Sequence, residues 1–120
     1  MRIEALKPKM TVCKLAQIAP LPEGLCFFAR TDEEISLVCE TAHVPENTTA
    51  REDGWRVMRI AGELDFSLVG ILARISEVLA REKIGIFAVS TYNTDYILTK
   101  ETQFDDALAA LSQAGYEVMR

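Results

Sequence analysis

The residues with the widest chemical repertoire in this 120-residue chain are three cysteines and one histidine. Cys13, Cys26 and Cys39 are widely spaced and form no CxxC pair. We interpret them as apolar strand residues of a reducing compartment, with a disulfide or a metal role as the alternative. His43 stands close to Pro45 with no cysteine or carboxylate pattern around it, so its surroundings indicate neither catalysis nor metal binding.

Motifs that would assemble an active site are missing from the sequence. It contains no glycine-rich phosphate loop, no GxSxG and no HExxH, and no plausible pair of nucleophile and base. We therefore predict a protein that is not an enzyme, with no catalytic residues, no metal and no cofactor.

Charge narrows the range of partners. The net charge is -5, and the 13 basic residues are scattered, which argues against binding to nucleic acid or to an anionic membrane surface. No apolar run approaches the ~20 residues of a membrane helix. The first ten residues lack the apolar core of a signal peptide, so the expected location is the cytoplasm.

The first half of the chain predicts short strands. They lie at residues 10–17, 25–31 and 35–40, and the last two are expected to form a hairpin around an acidic tip. A polar stretch at residues 46–54 ends in Asp53-Gly54 and predicts an exposed connection. We therefore expect a β-rich half at residues 1–50 and a second domain at residues 54–120.

The second half changes its hydrophobic period. Residues 55–60 alternate as a strand does, and Asp65 is a plausible N-cap for the helix that follows. That helix has an apolar stripe at helical spacing, formed by Leu68, Ile71, Leu72, Ile75, Val78 and Leu79.

The remainder predicts two strands, a helix and a last strand. The strands are expected at residues 84–90 and 96–99 with a turn between them, and a capping box beginning at Thr102 starts the helix. Gly115 is expected to be its left-handed C-cap, before a strand at 116–119. The order β-α-β-β-α-β is ferredoxin-like, with two helices on one face of a four-stranded antiparallel sheet, so the fold class is α+β.

The helices cover one face of such a sheet and leave the other face open. Residues 84–89 are apolar at both alternating sets of positions, so neither face of this strand favours water. The strands of the first half or a second subunit could cover it, and a homodimer is the expected state. Side-by-side pairing of sheets would leave a cleft between the loop before the first helix and a neighbouring strand.

The second half resembles ACT domains, the regulatory amino-acid-binding modules of biosynthetic enzymes such as aspartate kinase. Residues 64–70, 72–73, 75, 79–80 and 84–91 carry this resemblance. Residues 91–98 are similar to a subfamily of short bacterial tandem-ACT proteins, which themselves resemble eukaryotic cytosolic arginine sensors. The first half resembles the degenerate first ACT unit of that subfamily, through residues 28–31 and 37–39.

The resemblance implies an amino acid held at an interface between two ACT units. The implied ligand-binding residues are Asp65, Phe66, Ser67, Leu68, Val69, Gly70, Val89, Ser90, Thr91 and Asp95. Backbone N–H groups at a helix start favour a carboxylate, and Asp95 is suited to an ammonium group. The alternatives are structural: Asp65 as an N-cap only, Asp95 as a turn residue, and the module as a dimerisation or docking unit without a ligand.

Two positions depart from the pattern of the family. Lys83 stands at the end of the first helix, where many ACT domains have glycine, and Gly85 follows two residues later. Leu64 and Asp65 replace the Asp/Pro-Gly pair common in metabolic enzymes. An acid there would repel a ligand carboxylate, which leaves the orientation of the ligand open.

Overall fold

The computed structural model describes residues 1–61 and 69–120. Over these ranges the chain forms seven strands, two α-helices and one 3₁₀ turn, a mixed α+β fold. The strands are β1 (Arg2–Leu15), β2 (Cys26–Arg30), β3 (Ile35–Glu40), β4 (Thr48–Ile60), β5 (Phe87–Ser90), β6 (Asp95–Lys100) and β7 (Glu117–Met119). The helices are α1 (Ile71–Arg81) and α2 (Glu101–Gln113), and the 3₁₀ turn is Thr41–His43.

The described residues group into two compact units. One is Pro8–Trp55, and the other combines Met1–Lys7 with Arg56–Arg120. Both boundaries fall inside the long strands β1 and β4, so each of these strands contributes residues to both units. The expected domains at residues 1–50 and 54–120 remain a prediction.

The unit Pro8–Trp55 is a β-structure with its own small core. Its strand order is β2-β3-β1-β4, and β2 and β3 form the predicted antiparallel hairpin. β1 pairs antiparallel with β3, from Met10 opposite Glu40 to Lys14 opposite Ser36. The core consists of Cys13, Leu15, Leu37 and Cys39, with Cys26, Ile35 and Val44 packed against it.

The expected exposed connection at residues 46–54 is wrong for most of its length, because β4 begins at Thr48. Buried Thr11 of β1 donates its hydroxyl to Asp53 Oδ1 at 2.7 Å. Arg51 Nη2 lies 2.8 Å from the same oxygen. The polar side chains of this stretch therefore belong to a part of β4 that is exposed on both faces, a pattern that resembles a loop in the sequence.

The unit with the helices has the strand order β7-β1-β4-β6-β5. Its element order from β4 to β7 is the predicted β-α-β-β-α-β. The expected four-stranded antiparallel sheet is wrong, because the start of β1 adds a strand and pairs parallel with β7, Arg2 opposite Glu117. Ile3 is fully buried in the core of this unit, which explains why the N-terminal residues are drawn into its sheet.

Both helices pack their apolar faces on this sheet, and the buried face of α1 belongs to the predicted stripe. α1 buries Ile71, Ile75 and Leu79, and α2 buries Phe104, Ala107, Leu108 and Leu111. They share one cluster with strand residues that include Ile3, Met58, Ile60 and Ile97. No helix within residues 1–61 and 69–120 is long and apolar enough to cross a membrane.

Both helices end in the same motif with different residues. At the end of α1, the N–H of Ile84 donates to the carbonyl of Leu79 at 3.0 Å, and the N–H of Lys83 donates to the carbonyl of Ala80 at 2.9 Å. This is a Schellman motif, in which Lys83 takes the left-handed conformation at φ 59°. At the end of α2, Gly115 fills the same position at φ 101°, as the sequence predicts. α2 itself begins at Glu101, so the capping box predicted at Thr102 is wrong.

Lys83→Gly is expected to stabilise the chain by about 1 kcal/mol, because a side chain in the left-handed region costs roughly 1–2 kcal/mol. Gly115→Ala is the matched control and should destabilise by a similar amount. Urea denaturation of both variants measures the two changes. A destabilising Lys83→Gly would contradict the assigned backbone conformation.

Candidate functional site

Six of the ten predicted site residues lie among the described residues, and all six belong to the unit with the helices. Asp65, Phe66, Ser67 and Leu68 lie outside the described residues. Val69 and Gly70 immediately precede α1. The other four lie around the hairpin of β5 and β6, and they are Val89, Ser90, Thr91 and Asp95.

The structure brings Ser90 and Asp95 together. They are directly opposite each other as the last pair of β5 and β6. The hydroxyl of Ser90 donates to Asp95 Oδ1 at 2.6 Å, the length of a hydrogen bond to a charged acceptor. Ser90 is exposed and Asp95 is half-buried. The end of this hairpin therefore presents an oriented, accessible carboxylate.

The turn that follows Ser90 is fixed from both sides. Thr91 donates its N–H and its hydroxyl to the carbonyl of Thr94, at 2.8 and 2.9 Å. Thr94 is buried and donates its own hydroxyl to the carbonyl of Ile60 at 2.8 Å. The tip of the hairpin is therefore attached to the end of β4, where the chain leaves toward α1. Nothing in the sequence distinguished Thr94 from its exposed neighbours in the turn.

The start of α1 carries a cation that the sequence did not single out. Gly70 is left-handed at φ 80°, and a Cβ placed on it would lie 3.0 Å from Nη1 of Arg74. The guanidinium of Arg74 therefore extends back over Gly70. Arg74 lies outside the apolar stripe of the helix, and its spacing of four residues from Gly70 was the signal that could have found it.

A second polar group lies on the opposite side of the sheet. Arg59 Nε is 3.4 Å from Glu4 Oε1, and its guanidinium carbon is 6.0 Å from the centre of the Tyr96 ring. Hydrogen bonds to Tyr96 and to Glu4 raise the pKa of Arg59. The flanking strand residues Ile60 and Ile97 pack toward the helices, so this group faces away from Ser90 and Asp95.

Grooves on the helices do not involve the predicted residues. Two open grooves of about 230 and 240 Å³ are lined mainly by residues near the C-terminal ends of α1 and α2. Within residues 1–61 and 69–120, no three His, Cys, Asp or Glu side chains are grouped to hold a metal ion. Among the residues that the structure describes, the six predicted site residues line neither of these two grooves.

Comparison with known folds agrees with this architecture. A protein of Agrobacterium tumefaciens superposes with a TM-score of 0.88 at 25% identity, over 98% of this chain and 91% of that one. A protein of unknown function from Vibrio cholerae gives 0.71 at 19% identity, over 91% and 85% of the two chains. Aspartate kinase of Clostridium acetobutylicum, described as an allosteric enzyme, gives 0.68 at 15% identity. This chain is covered over 93% of its length but spans only 34% of that kinase.

The sequence itself matches a family profile over more than half of its length. The profile is that of the ACT domain, and it covers residues 50–113, from within β4 to the end of α2. ACT domains are regulatory modules rather than catalytic ones. The chain therefore belongs to the ACT domain family.

Proposed function

We propose that this chain is a non-catalytic sensor that binds an amino acid at an interface between two ACT units. The observation that carries the proposal is the Ser90–Asp95 hydrogen bond at 2.6 Å. It orients a carboxylate at the end of a hairpin that Thr94 attaches to β4. An oriented, accessible carboxylate is suited to the ammonium group of an amino acid.

A zwitterionic ligand also needs a partner for its carboxylate. The ten residues predicted from the sequence include two acids, Asp65 and Asp95, and no cation. Arg74 supplies a cation beside Gly70. In the proposed site, Asp95 binds the ammonium of the ligand, and Arg74 binds its carboxylate with two donors in a planar fork.

Two hairpins with the same turn support a tandem arrangement. Thr31 and Thr91, sixty positions apart, each donate a backbone N–H to the carbonyl three residues later, at 2.9 and 2.8 Å. In each turn the threonine hydroxyl also accepts the N–H of that third residue, Glu34 or Thr94. The strands that follow, β3 and β6, are each six residues long and bury the same three positions.

The two units are also similar in a short stretch of sequence and in the order of their elements. Residues 12–16 read VCKLA and residues 57–61 read VMRIA, on strands of the two units. The 3₁₀ turn follows β3 as α2 follows β6. We therefore propose that Pro8–Trp55 is a degenerate ACT unit without its helices, and that the other unit is a ferredoxin-like ACT unit with one added strand. This is the arrangement expected of a short bacterial tandem-ACT protein similar to arginine sensors, acting as a cytoplasmic homodimer.

A thermal-shift screen against the twenty amino acids tests the proposal. A ligand at ~100 times its Kd adds ~2.7 kcal/mol to the free energy of unfolding, which is several degrees for a chain of this size. We expect one amino acid, or one chemical group of them, to raise the midpoint. No shift with any of the twenty at millimolar concentration would contradict amino-acid sensing.

A docking module without a ligand is the second candidate. It is favoured by two apolar side chains at the same end of this unit, Val69 and Tyr92, which are 83% and 77% exposed. Exposed apolar groups of this size mark protein contacts when they are grouped. If docking to a second copy is the function, Tyr92→Ser will dissociate a dimer seen by light scattering. An unchanged mass would argue against it.

A further inference from the structure

Two cysteines of the β-rich unit are opposite each other on adjacent strands. Cys26 on β2 pairs with Cys39 on β3 in the antiparallel register. Directly opposed residues of such a ladder point to the same face of the sheet. Both side chains belong to the cluster that also contains Cys13, and all three thiols are free.

The register also shows whether Cys26 and Cys39 are a hydrogen-bonded or a non-hydrogen-bonded pair of the ladder. At the turn, Thr31 N–H donates to the carbonyl of Glu34 at 2.9 Å, so these two residues are a hydrogen-bonded pair. Hydrogen-bonded and non-hydrogen-bonded pairs alternate along an antiparallel ladder. Cys26 and Cys39 are five pairs further along, and are therefore a non-hydrogen-bonded pair.

This kind of pair satisfies the distance that a disulfide requires. Opposed Cα atoms of a non-hydrogen-bonded pair are about 4.5 Å apart, with their side chains closer than in the other kind of pair. Disulfides join Cα atoms roughly 4.4–6.8 Å apart. The two sulfur atoms can therefore be joined without moving either strand.

The two thiols differ in their access to solvent. Cys26 is half-buried on β2, the edge strand of its unit, whereas Cys39 is fully buried. Burial, the main cause, together with the neighbouring thiols of Cys13 and Cys26, raises the pKa of Cys39 to about 11. An oxidant in solvent therefore reaches Cys26 first, and Cys39 remains a protonated thiol next to it.

We propose that Cys26 and Cys39 are a redox modification site, at which hydrogen peroxide converts the two thiols into a cross-strand disulfide. Peroxide transfers one oxygen to the sulfur of Cys26, giving a sulfenic acid, and its other oxygen leaves as water. The sulfur of Cys39 then attacks the sulfenic sulfur. The S–S bond forms as the S–O bond breaks, and the departing hydroxide takes the thiol proton as a second water.

The disulfide links β2 covalently to β3. The disulfide closes a loop of about fourteen residues, which removes conformational freedom from the unfolded chain. The oxidised protein should therefore melt several degrees above the reduced protein. Because the attacking group is the thiolate of Cys39, closure should accelerate as the pH rises toward the pKa of about 11.

The experiment treats the reduced full chain with hydrogen peroxide and follows it by intact mass and peptide mapping. Wild type and Cys13→Ser should each lose two hydrogen atoms and yield one linked peptide pair containing Cys26 and Cys39. Dithiothreitol should restore the mass and the lower melting midpoint. Cys26→Ser, altered at a half-buried position that tolerates the change, should form no intramolecular disulfide and show no rise of the midpoint.

A second variant ensures that misfolding of Cys26→Ser is not mistaken for the loss of a disulfide. Cys39→Ala keeps the buried position apolar, and should trap the sulfenic acid of Cys26 as a dimedone adduct. The proposal is overturned if wild type accumulates that adduct without a disulfide. A bond to Cys13, or a disulfide between two chains, would overturn it as well.

Discussion

Gly24→Ala is expected to destabilise the chain by about 3 kcal/mol, for two separate reasons. Gly24 is left-handed at φ 83°, which costs a side chain roughly 1–2 kcal/mol. The new Cβ would also overlap the carboxylate oxygen Oε2 of Glu40. That oxygen accepts the backbone N–H of Leu25 at 2.7 Å, so the carboxylate must give up a charged hydrogen bond worth about 1.5–3 kcal/mol.

Gly54→Ala is the matched control, because it isolates the cost of the backbone conformation. Gly54 is left-handed at φ 87°, and a Cβ there meets nothing within 4 Å. We expect urea denaturation to give a loss of about 1–2 kcal/mol for this variant. In a protein that already carries Glu40→Ala, the added Gly24→Ala should lower the free energy of unfolding by no more than Gly54→Ala does. Equal losses in the two single variants would contradict the role assigned to Glu40.

Asp95→Asn is expected to weaken binding of the amino acid identified by the screen about 100-fold. The substitution keeps the shape of the side chain and removes the charge that opposes the ammonium of the ligand. Truncating or neutralising one member of a close charge pair costs about 2–5 kcal/mol, and the expected loss lies at the lower end because Asp95 is only half-buried. Isothermal titration calorimetry measures the two dissociation constants.

Asp105→Asn controls for the change in net charge. Asp105 lies on α2 and forms an exposed ion pair with Arg120 at 3.5 Å, so this variant should bind as wild type does. Ser90→Ala removes the hydroxyl that orients Asp95 and should weaken binding about tenfold, the worth of one hydrogen bond to a charge. If Asp95→Asn and Asp105→Asn bind equally well, the hairpin end is not the ligand site.

Arg74→Gln tests the other half of the site. In the proposed arrangement it lowers affinity for the amino acid but leaves binding of the corresponding amide unchanged, because only the acid carries a carboxylate. Arg81→Gln, on the last turn of the same helix, is the control. Equal weakening of acid and amide would show that Arg74 supports the fold rather than the ligand.

Local features of the fold could be read from the sequence because they depend on neighbouring residues. The hairpin of β2 and β3 follows from alternating residues around an acidic tip. The stripe of α1 predicts Ile71, Ile75 and Leu79 as its buried face. Gly115 predicts the end of α2, and it adopts the left-handed conformation there.

Features that depend on pairing across the fold could not be read in this way. β1 continues through Pro8, a residue that normally argues against a central strand. Pro8 lies between the residues that pair with β7 and those that pair with β3, so it interrupts neither of these two ladders. Only the register shows this, just as only the fold shows that Thr94 donates its hydroxyl to the carbonyl of Ile60.

The central claim, that the chain binds an amino acid at the hairpin end of β5 and β6, is tested most directly by calorimetric titration of wild type and Asp95→Asn side by side. The account predicts saturable binding of one amino acid to wild type, and a dissociation constant about 100-fold higher in the variant, while the melting midpoint of the variant without ligand is unchanged. Heats that show no binding to wild type at millimolar amino acid would contradict sensing itself. Equal binding to both proteins would place the ligand elsewhere.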